Sequence, residues 1–372
     1  MQNKQNQCTE IASGETGVER TKGDLIFPQE TKADTAANSL SLPNLPASHF
    51  LSDKTRKANQ VYTAQVMAWL EKIAAQCPLS EETPHNAIPT IRQQQAALFY
   101  QSPLYTNLTE RYEVNIVSEE IAGVPVEIFT PKKCIAAQNK NRVLINVHGG
   151  SFTIGAGTYS RQESIPIAAL GEITVISVDY RMAPPHVHPA ARDDLLAVYQ
   201  ALLSEYAPEQ IGMYGCSAGA IIIAQAITTL KQQAIPQPAA VGMICGAPHH
   251  WHQGDANSFV AAIQNAPTPG PAEFAYFKGQ DCDDPSAFPG QSPELMAQFP
   301  SSLLVSSTRD FFMSSVVVTH AQLVQMGGDA ELHIFEGLEH AFIYNPELGE
   351  SRDAYGIMVR FFNKQLGKSV TA

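Results

Sequence analysis

The sequence predicts an α/β fold in which helices cover both faces of a mostly parallel β-sheet. Two observations point to it. Short apolar runs rich in β-branched residues recur from residue 143 onward, and stretches with helical spacing separate most of them. Strands that are apolar on both sides and alternate with helices are typical of a parallel sheet buried between two helical layers.

Composition and charge restrict the partners of such a fold. The 372 residues are 44% hydrophobic and carry a formal net charge of −12, which allows a large core and gives an acidic surface. An acidic surface repels phosphate backbones, so we expect no nucleic-acid partner and favour a small neutral molecule as the ligand.

Three features of the sequence bear on the cellular compartment. The chain has no apolar run of about 18 residues, so no membrane span is expected. The polar first residues do not resemble a secretion signal, and the six scattered cysteines lack metal-binding spacing. A cytoplasmic protein with reduced thiols is therefore expected.

Three segments are expected along the chain. Residues 1–45 are polar and indicate a disordered or loosely attached tail. Residues 46–110 have apolar residues at helical spacing, which predicts helices over 52–76 and 91–100 that contribute to a cap. Residues 111–372 form the predicted catalytic domain.

The catalytic domain begins with a predicted antiparallel pair around Gly123. The predicted strands are 112–118, 124–130, 143–148, 173–180, 211–215, 240–245, 302–307 and 331–337. The predicted helices are 161–170, 189–205, 218–232, 314–326 and 353–366. Over about 247–300 no strand is evident, and this long segment rich in Pro and aromatic residues predicts a helical cap inserted over the active-site edge of the sheet.

The motif GCSAG at 215–219 predicts a nucleophile. It follows one predicted strand and opens a predicted helix, which is the strand–turn–helix context of a nucleophile elbow. Gly215 and Gly219 leave room for a sharp turn that exposes Ser217, and the helix start favours developing negative charge. Ser217 is the predicted nucleophile, whereas its neighbour Cys216 is expected to pack in the interior.

The loop after the strand 143–148 is the predicted oxyanion hole. It reads HGGSF, and glycines allow backbone N–H groups to approach a tetrahedral intermediate closely. The expected donors are the amides of Gly149, Gly150 and Ser151, joined by that of Ala218 just after the nucleophile. His148 is predicted to brace this loop rather than to act as a base.

Asp310 and His340 complete the predicted site. Each follows one of the last two predicted strands and therefore falls at the same edge of the sheet as Ser217. The chain order Ser, Asp, His is that of hydrolases with a nucleophile elbow, in which His removes the serine proton and Asp orients the imidazole.

Other polar residues compete for these roles. Asp193 and Asp194 begin a predicted helix, where carboxylates are expected for capping alone. His249, His250 and His252 suggest a metal site. No carboxylate or cysteine completes a convincing ligand set, so a polar loop without a metal is predicted.

Taken together, these residues resemble the hormone-sensitive-lipase-like family of α/β-hydrolases, mainly its bacterial esterases. The segments HGGSF, VDYRMAPPHVHPAARDD, GCSAG, TRD and EGLEHAF occur in the family's order between Val124 and Phe362. The last two are similar to the monoterpene lactone hydrolase and acetyl esterase branch. The resemblance implies an α/β-hydrolase fold with eight strands and a helical cap, and a triad of Ser217, Asp310 and His340 that needs no cofactor.

Two residues depart from the family pattern. Ser151 stands where a third glycine is usual, and Cys216 replaces the Asp of the usual elbow GDSAG. Neither change removes a catalytic group, but both bear on substrate preference and rate. Members of the family often form dimers, so a homodimer remains open.

The resulting hypothesis is a carboxylesterase-type serine hydrolase that acts on small to medium acyl esters or lactones through an acyl-enzyme. Two alternatives remain. One is a catalytically retired small-molecule receptor on the same fold, as the plant gibberellin receptors are, although those have lost the catalytic His that is present here as His340. The other is an amide or carbamate hydrolase, which the triad alone does not distinguish from an esterase.

Overall fold

The structure is a computed structural model that describes residues 46–264, 267–281, 283–297 and 299–367. The tail predicted over 1–45 lies outside the described residues. The strands are β1 Val114–Ile121, β2 Val124–Pro131, β3 Val143–Val147, β4 Thr174–Val178, β5 Ile211–Cys216, β6 Ala240–Ile244, β7 Ser301–Arg309 and β8 Ala330–Glu339. The helices are α1 Asp53–Gln76, α2 Ile88–Tyr100, α3 Pro103–Arg111, α4 Tyr159–Gly171, α5 Ala190–Leu202, α6 Ala218–Gln232, α7 Asp255–Gln264, α8 Pro293–Met296, α9 Met313–Gln325 and α10 Gly349–Gln365.

The strands form one eight-stranded sheet in the order β1-β2-β4-β3-β5-β6-β7-β8. β2 runs antiparallel to β1 and β4, and the neighbours from β4 across to β8 are parallel. Because the parallel strands point the same way, the loops after β3, β5, β7 and β8 meet at one edge of the sheet. The predicted mostly parallel α/β-hydrolase sheet is confirmed.

Burial explains why the central strands are apolar without alternation. Every residue of β3, β5 and β6 is buried, as expected for strands covered on both faces. One apolar cluster includes α5 and α6, and a second includes α4 and α10. These helical layers hold the sheet's carboxyl edge in place.

The N-terminal helices differ in detail from the prediction. α1 matches, but α2 starts three residues before the predicted Ile91, with Pro89 in its first turn, where the missing proline N–H has no intrahelical role. α3 was not predicted. Its nine residues bury only Leu104 and Leu108, which is too short an apolar pattern to indicate a helix.

The segment predicted as a helical insertion lies between β6 and β7. Its described part contains one ten-residue helix, α7, the four-residue α8 and three single-turn 3-10 helices, with turns and irregular chain elsewhere. Buried aromatic rings hold it together, including Trp251 against Phe274 at 5.1 Å and Phe277 against Phe288 at 4.9 Å between ring centroids. Packing of large side chains therefore replaces regular helix over much of this segment.

Candidate active site

Ser217 lies at a sharp turn between β5 and α6. Its backbone has φ 54° and ψ −117°, a conformation that is costly for a residue with a side chain. The flanking glycines make this turn possible. A Cβ at Gly219 would lie 1.7 Å from the carbonyl oxygen of Val147, and one at Gly215 would lie 2.3 Å from the same oxygen.

Ser217, His340 and Asp310 form one hydrogen-bonded chain at the carboxyl edge of the sheet. The hydroxyl Oγ of Ser217 donates to His340 Nε2 at 3.0 Å, and Nδ1 of His340 donates to Asp310 Oδ1 at 2.7 Å. A carboxylate only accepts, so the proton of the neutral imidazole resides on Nδ1. Nε2 is then unprotonated and positioned to take the serine proton.

Asp310 is fully buried and fixed by three donors. Oδ1 also accepts from the amide of Phe312 at 2.9 Å, and Oδ2 accepts from Ser306 Oγ at 2.7 Å. Burial by itself raises the pKa of Asp310, but the charge of His340 and these hydrogen bonds outweigh burial and hold the pKa below its ordinary value. The carboxylate is therefore ionised and aimed at the imidazole.

The loop after β3 contains three predicted oxyanion donors. In the described chain two of their amides have no protein acceptor, whereas the third is already hydrogen-bonded. The amide of Gly149 donates to Glu163 Oε1 at 2.8 Å. This hydrogen bond argues against the predicted role of Gly149 as an oxyanion donor, because its N–H already has an internal acceptor. In the described part of the chain the amides of Gly150, Ser151 and Ala218 donate to no protein acceptor, so these three remain the predicted donors.

The turn in this loop depends on residues with left-handed backbone. Gly150 has φ +115°, and a Cβ there would lie 2.0 Å from the carbonyl oxygen of Ile154. Ser151, which stands at the position of a usual third glycine, has φ 55°. The loop therefore keeps its shape at Ser151 at the cost of local strain.

His148 contacts the loop as expected for a bracing residue. Its Nδ1 donates to the carbonyl oxygen of Gly149 at 2.7 Å, and its ring stacks on Tyr180 at 4.3 Å. Tyr180 Oη donates to the carbonyl oxygen of His148 at 2.8 Å. Burial lowers the pKa of His148 to about 4, so the ring is neutral at physiological pH.

The competing residues have other partners. Cys216 is fully buried in an apolar cluster that also contains Cys245 and Tyr344, and burial raises the pKa of its thiol. Asp194 forms an ion pair with Arg181 at 2.9 Å, and Asp193 forms one with Arg192 at 2.7 Å.

The histidines of the insertion have separate partners. His249 bonds Gln322 through Nε2 at 3.0 Å, whereas His252 Nε2 lies 2.9 Å from the carbonyl oxygen of Thr268. Among the described residues, the one set of metal-ligating types with atoms within 4.8 Å of one another is Cys245, Asp310 and His340. Two of these are the predicted triad members, and the third is a contact that the sequence did not indicate.

A cavity of about 280 Å³ opens onto Ser217 and His340. One wall comes from α1, and the loop at Gly150 and Ser151 forms another part. The α1 residues that line it are Asn59, Tyr62, Thr63, Val66 and Met67. No described residue of 247–300 lines this cavity, so α1 rather than the insertion covers it in the described part of the chain.

Comparisons with known proteins define the class. A family model described as the alpha/beta hydrolase fold matches residues 144–344, more than half of the chain. An esterase of Acinetobacter venetianus is 30% identical over 181 residues, which cover 48% of this chain and 54% of the relative. An acetyl-hydrolase of Streptomyces hygroscopicus is 32% identical over 133 residues, covering 34% of this chain and 44% of the relative. The chain thus spans about half of the length of the curated relatives it matches.

Solved structures extend the likeness over most of the chain. Esterase E25 is similar with a TM-score of 0.70 and 27% identity, covering 87% of this chain and 97% of the other. An esterase from the bacterial hormone-sensitive lipase family has a TM-score of 0.67 at 21% identity, with coverage of 85% and 99%, and shows the shared fold. The chain belongs to the α/β-hydrolase family. No described helix has both the length and the apolarity needed to cross a bilayer.

Proposed function

We propose that the protein is a carboxylesterase-type serine hydrolase in which Ser217, His340 and Asp310 form the catalytic triad. The observation that carries the proposal is the unbroken hydrogen-bonded chain from Ser217 Oγ through the imidazole to a buried carboxylate, at the wall of a cavity. The relatives named esterase and acetyl-hydrolase support an ester as the substrate.

The proposed reaction has two halves. Ser217 Oγ attacks the ester carbonyl while its proton passes to His340 Nε2, and Asp310 stabilises the imidazolium. The amides of Gly150, Ser151 and Ala218 bind the negative carbonyl oxygen. The alkoxide leaves with the proton from His340, and an acyl group remains on Ser217. Water, deprotonated by His340, then attacks the acyl carbon. The bond from the acyl carbon to Ser217 Oγ breaks, His340 returns the proton to Ser217 Oγ, and the carboxylic acid is released.

The cavity supports a small to medium uncharged ester or lactone. Its volume of about 280 Å³ is modest, and its lining combines apolar side chains such as Val66 and Phe342 with the tyrosines of residues 62, 159 and 344. The described lining contains no lysine or arginine, which a carboxylate or phosphate on the substrate would require for recognition.

We propose further that residues 46–110 act as a cap on a catalytic domain at 111–372, and that the insertion at about 247–300 belongs to this domain without covering the cavity. Lining of the cavity by α1 supports this role of residues 46–110.

We also propose a cytoplasmic location. The described cysteines Cys77, Cys134, Cys216 and Cys245 are free, which supports it. A homodimer stays a prediction.

Ester hydrolysis by wild type and Ser217→Ala tests the proposal. The panel contains p-nitrophenyl acetate, butyrate and octanoate, a lactone and a p-nitroanilide, with Ser204→Ala as the matched exposed control. Wild type and Ser204→Ala are expected to cleave the short esters fastest, and Ser217→Ala to lose nearly all of this activity. Rapid cleavage of the anilide but not the esters would support the amidase alternative. Absence of all turnover and of labelling by a fluorophosphonate would support the receptor.

A further inference from the structure

Glu163 is a buried carboxylate that the proposed reaction does not use. It lies in α4, in the stretch ESIPIAAL, and only 2% of its surface is exposed. A buried carboxylate is costly unless hydrogen bonds or an opposite charge compensate for the lost hydration. The contacts of Glu163 show what compensates for its burial.

Four donors surround the carboxylate. Oε1 accepts from the amide of Gly149 at 2.8 Å and from Tyr344 Oη at 2.8 Å. Oε2 accepts from Asn146 Nδ2 at 2.8 Å and from the amide of Cys216 at 3.3 Å. Two of the four are backbone N–H groups, which cannot turn to become acceptors.

Three of these donors come from separate parts of the active site, and the fourth, Asn146, lies in β3. Gly149 precedes the predicted oxyanion donors Gly150 and Ser151, and Cys216 precedes the nucleophile Ser217. Tyr344 lies in the turn after His340 and also lines the cavity. One side chain from a helix outside the triad thus connects the oxyanion loop, the elbow and the segment after the histidine.

We infer that Glu163 is a positioning residue for the reaction, which fixes the oxyanion loop and the nucleophile elbow relative to each other. The inference rests on the proposed function. Holding the Gly149 amide toward the interior fixes the rotation of the loop, so that the next two amides are free for the substrate. The hydrogen bond to the Cys216 amide fixes the residue just before Ser217 and so stabilises the strained backbone of the elbow. Transition-state stabilisation by preset donors depends on such fixed placement.

The ionised form of Glu163 is the one that fits this role, because all four neighbours donate. The titratable groups that face it are Tyr180, Tyr214, Cys216 and Tyr344, all neutral near pH 7, and no cationic side chain is hydrogen-bonded to it in the described chain. Burial therefore raises the pKa of Glu163 to about 7, although the four hydrogen bonds act in the opposite direction. The contacts that position the two loops are expected to weaken as the pH falls below neutrality.

Glutamine at this position distinguishes positioning from packing, because it has the same shape. Its amide has one acceptor oxygen and one donor nitrogen, so either Gly149 N–H or Cys216 N–H must face an N–H group. Tyr344 and Asn146 can rotate to accept, but a backbone amide cannot. Glu163→Gln therefore disturbs one of the two loops while it preserves volume.

Steady-state kinetics on p-nitrophenyl acetate test the inference with Glu163→Gln and a matched control. The control is Glu127→Gln, which removes a half-buried carboxylate that is paired with Arg161 of α4 at 2.6 Å and whose side-chain hydrogen bonds go to Arg161 rather than to Gly149 or Cys216. Glu163→Gln is expected to lower kcat by about 10- to 100-fold, the range that follows from slight misplacement of reacting groups. KM is expected to change little because Glu163 does not line the cavity. The control should retain wild-type kcat.

Three results would overturn the inference. One is a Glu163→Gln kcat equal to that of wild type. The second is an equal loss in Glu127→Gln, which would indicate general loosening of α4. The third is a faster Glu163→Gln, which would mean that repulsion between the carboxylate and the oxyanion outweighs positioning. An inactive wild type would instead refute the proposed function, so the two failures are distinguishable.

Tyr344→Phe supplies a second test if Glu163→Gln does not fold. It removes one donor that lowers the pKa of Glu163 and leaves both backbone amides in place. The acid limb of kcat is therefore expected to move to higher pH in Tyr344→Phe, with a smaller loss of kcat at pH 8.5 than at pH 6. An acid limb at the wild-type position would contradict the inference, since a purely structural hydroxyl would not couple to a titration.

Discussion

Asp310 and Glu163 are both buried carboxylates at the catalytic edge of the sheet, and their surroundings have opposite effects. Asp310 faces the imidazole of His340, whose charge and hydrogen bond help to hold the Asp310 pKa below its ordinary value. Glu163 faces only neutral donors, and burial raises its pKa to about 7. The comparison indicates that hydrogen bonds from neutral groups offset burial less than hydrogen bonds combined with an adjacent imidazole that can carry positive charge.

The two carboxylates also serve different parts of the proposed reaction. In that reaction Asp310 orients the base, His340, and stabilises the positive charge that forms on its imidazole. Glu163 holds two backbone amides and touches neither base nor cavity. Removing charge from Asp310 should therefore affect the chemical step directly, whereas removing it from Glu163 should act through geometry.

The largest expected effect is that of Asp310→Asn. Asn in place of Asp allows the wrong imidazole tautomer and does not stabilise the imidazolium, so kcat is expected to fall by about 10³- to 10⁴-fold. The check is kcat on p-nitrophenyl acetate beside that of Glu163→Gln. A loss no greater than that of Glu163→Gln would break the distinction between orienting the base and positioning the loops.

The next largest effect is expected in the pH dependence of the free energy of unfolding, through Glu163. The folded-state pKa of Glu163 lies above its ordinary value of 4.5, so between about pH 4.5 and about pH 7 the folded state retains a proton that the unfolded state has lost. Its contribution therefore falls as the pH rises through that window. Asp310, with a depressed pKa, has the opposite sign, and its contribution is lost on acidification.

Urea unfolding of wild type and Glu163→Gln at pH 5 and pH 8 measures this sign. From pH 5 to pH 8 the free energy of unfolding of wild type is expected to fall relative to that of Glu163→Gln. The reason is that Glu163 releases a proton over this range, whereas glutamine has none to release. A difference that stays constant, or that changes in favour of wild type at pH 8, would mean that Glu163 is ionised in both states at pH 5.

A smaller effect is expected for Ser306→Ala. This change removes one of the three donors to Asp310 and leaves His340 and the amide of Phe312 in place. We expect kcat to fall by less than about 10-fold and the free energy of unfolding by about 1–2 kcal/mol, the value of a hydrogen bond to a charged group. Loss of kcat comparable to Asp310→Asn would show that the serine, not the carboxylate charge, controls the base.

The smallest effect is expected for Cys245→Ala. The Cys245 thiol lies near both Asp310 and His340, but burial raises its pKa well above the ordinary value, so it carries no charge. The kcat of Cys245→Ala is expected to stay within about 3-fold of wild type, because a neutral neighbour alters the field at the triad little. A larger change in kcat would contradict this prediction and would mean that the Cys245 thiol helps to set the charge of Asp310.

The sequence indicated the proposed triad because each of its members follows a predicted strand. Loops after parallel strands meet at one edge, so Ser217, Asp310 and His340 could be placed together from strand positions alone. The elbow was equally predictable, since Gly215 and Gly219 are required by the approach of Val147.

The sequence could not locate features that depend on tertiary contacts. The Gly149 amide was assigned to the oxyanion hole, but its direction is set by Glu163, a residue 14 positions away in another element. The available hint was an acidic residue at the start of the apolar half of α4. Coverage of the cavity by α1 was likewise not evident in detail, because it depends on how that helix packs over the loops.

Trapping the acyl-enzyme tests the central claim most directly. Wild type and Ser217→Ala are mixed with p-nitrophenyl butyrate, quenched in acid within one turnover, and analysed by intact mass and peptide mapping. One butyryl group is expected on the peptide that carries Ser217 in wild type, and none in Ser217→Ala. An adduct on another residue, or ester turnover by Ser217→Ala at the wild-type rate, would contradict it.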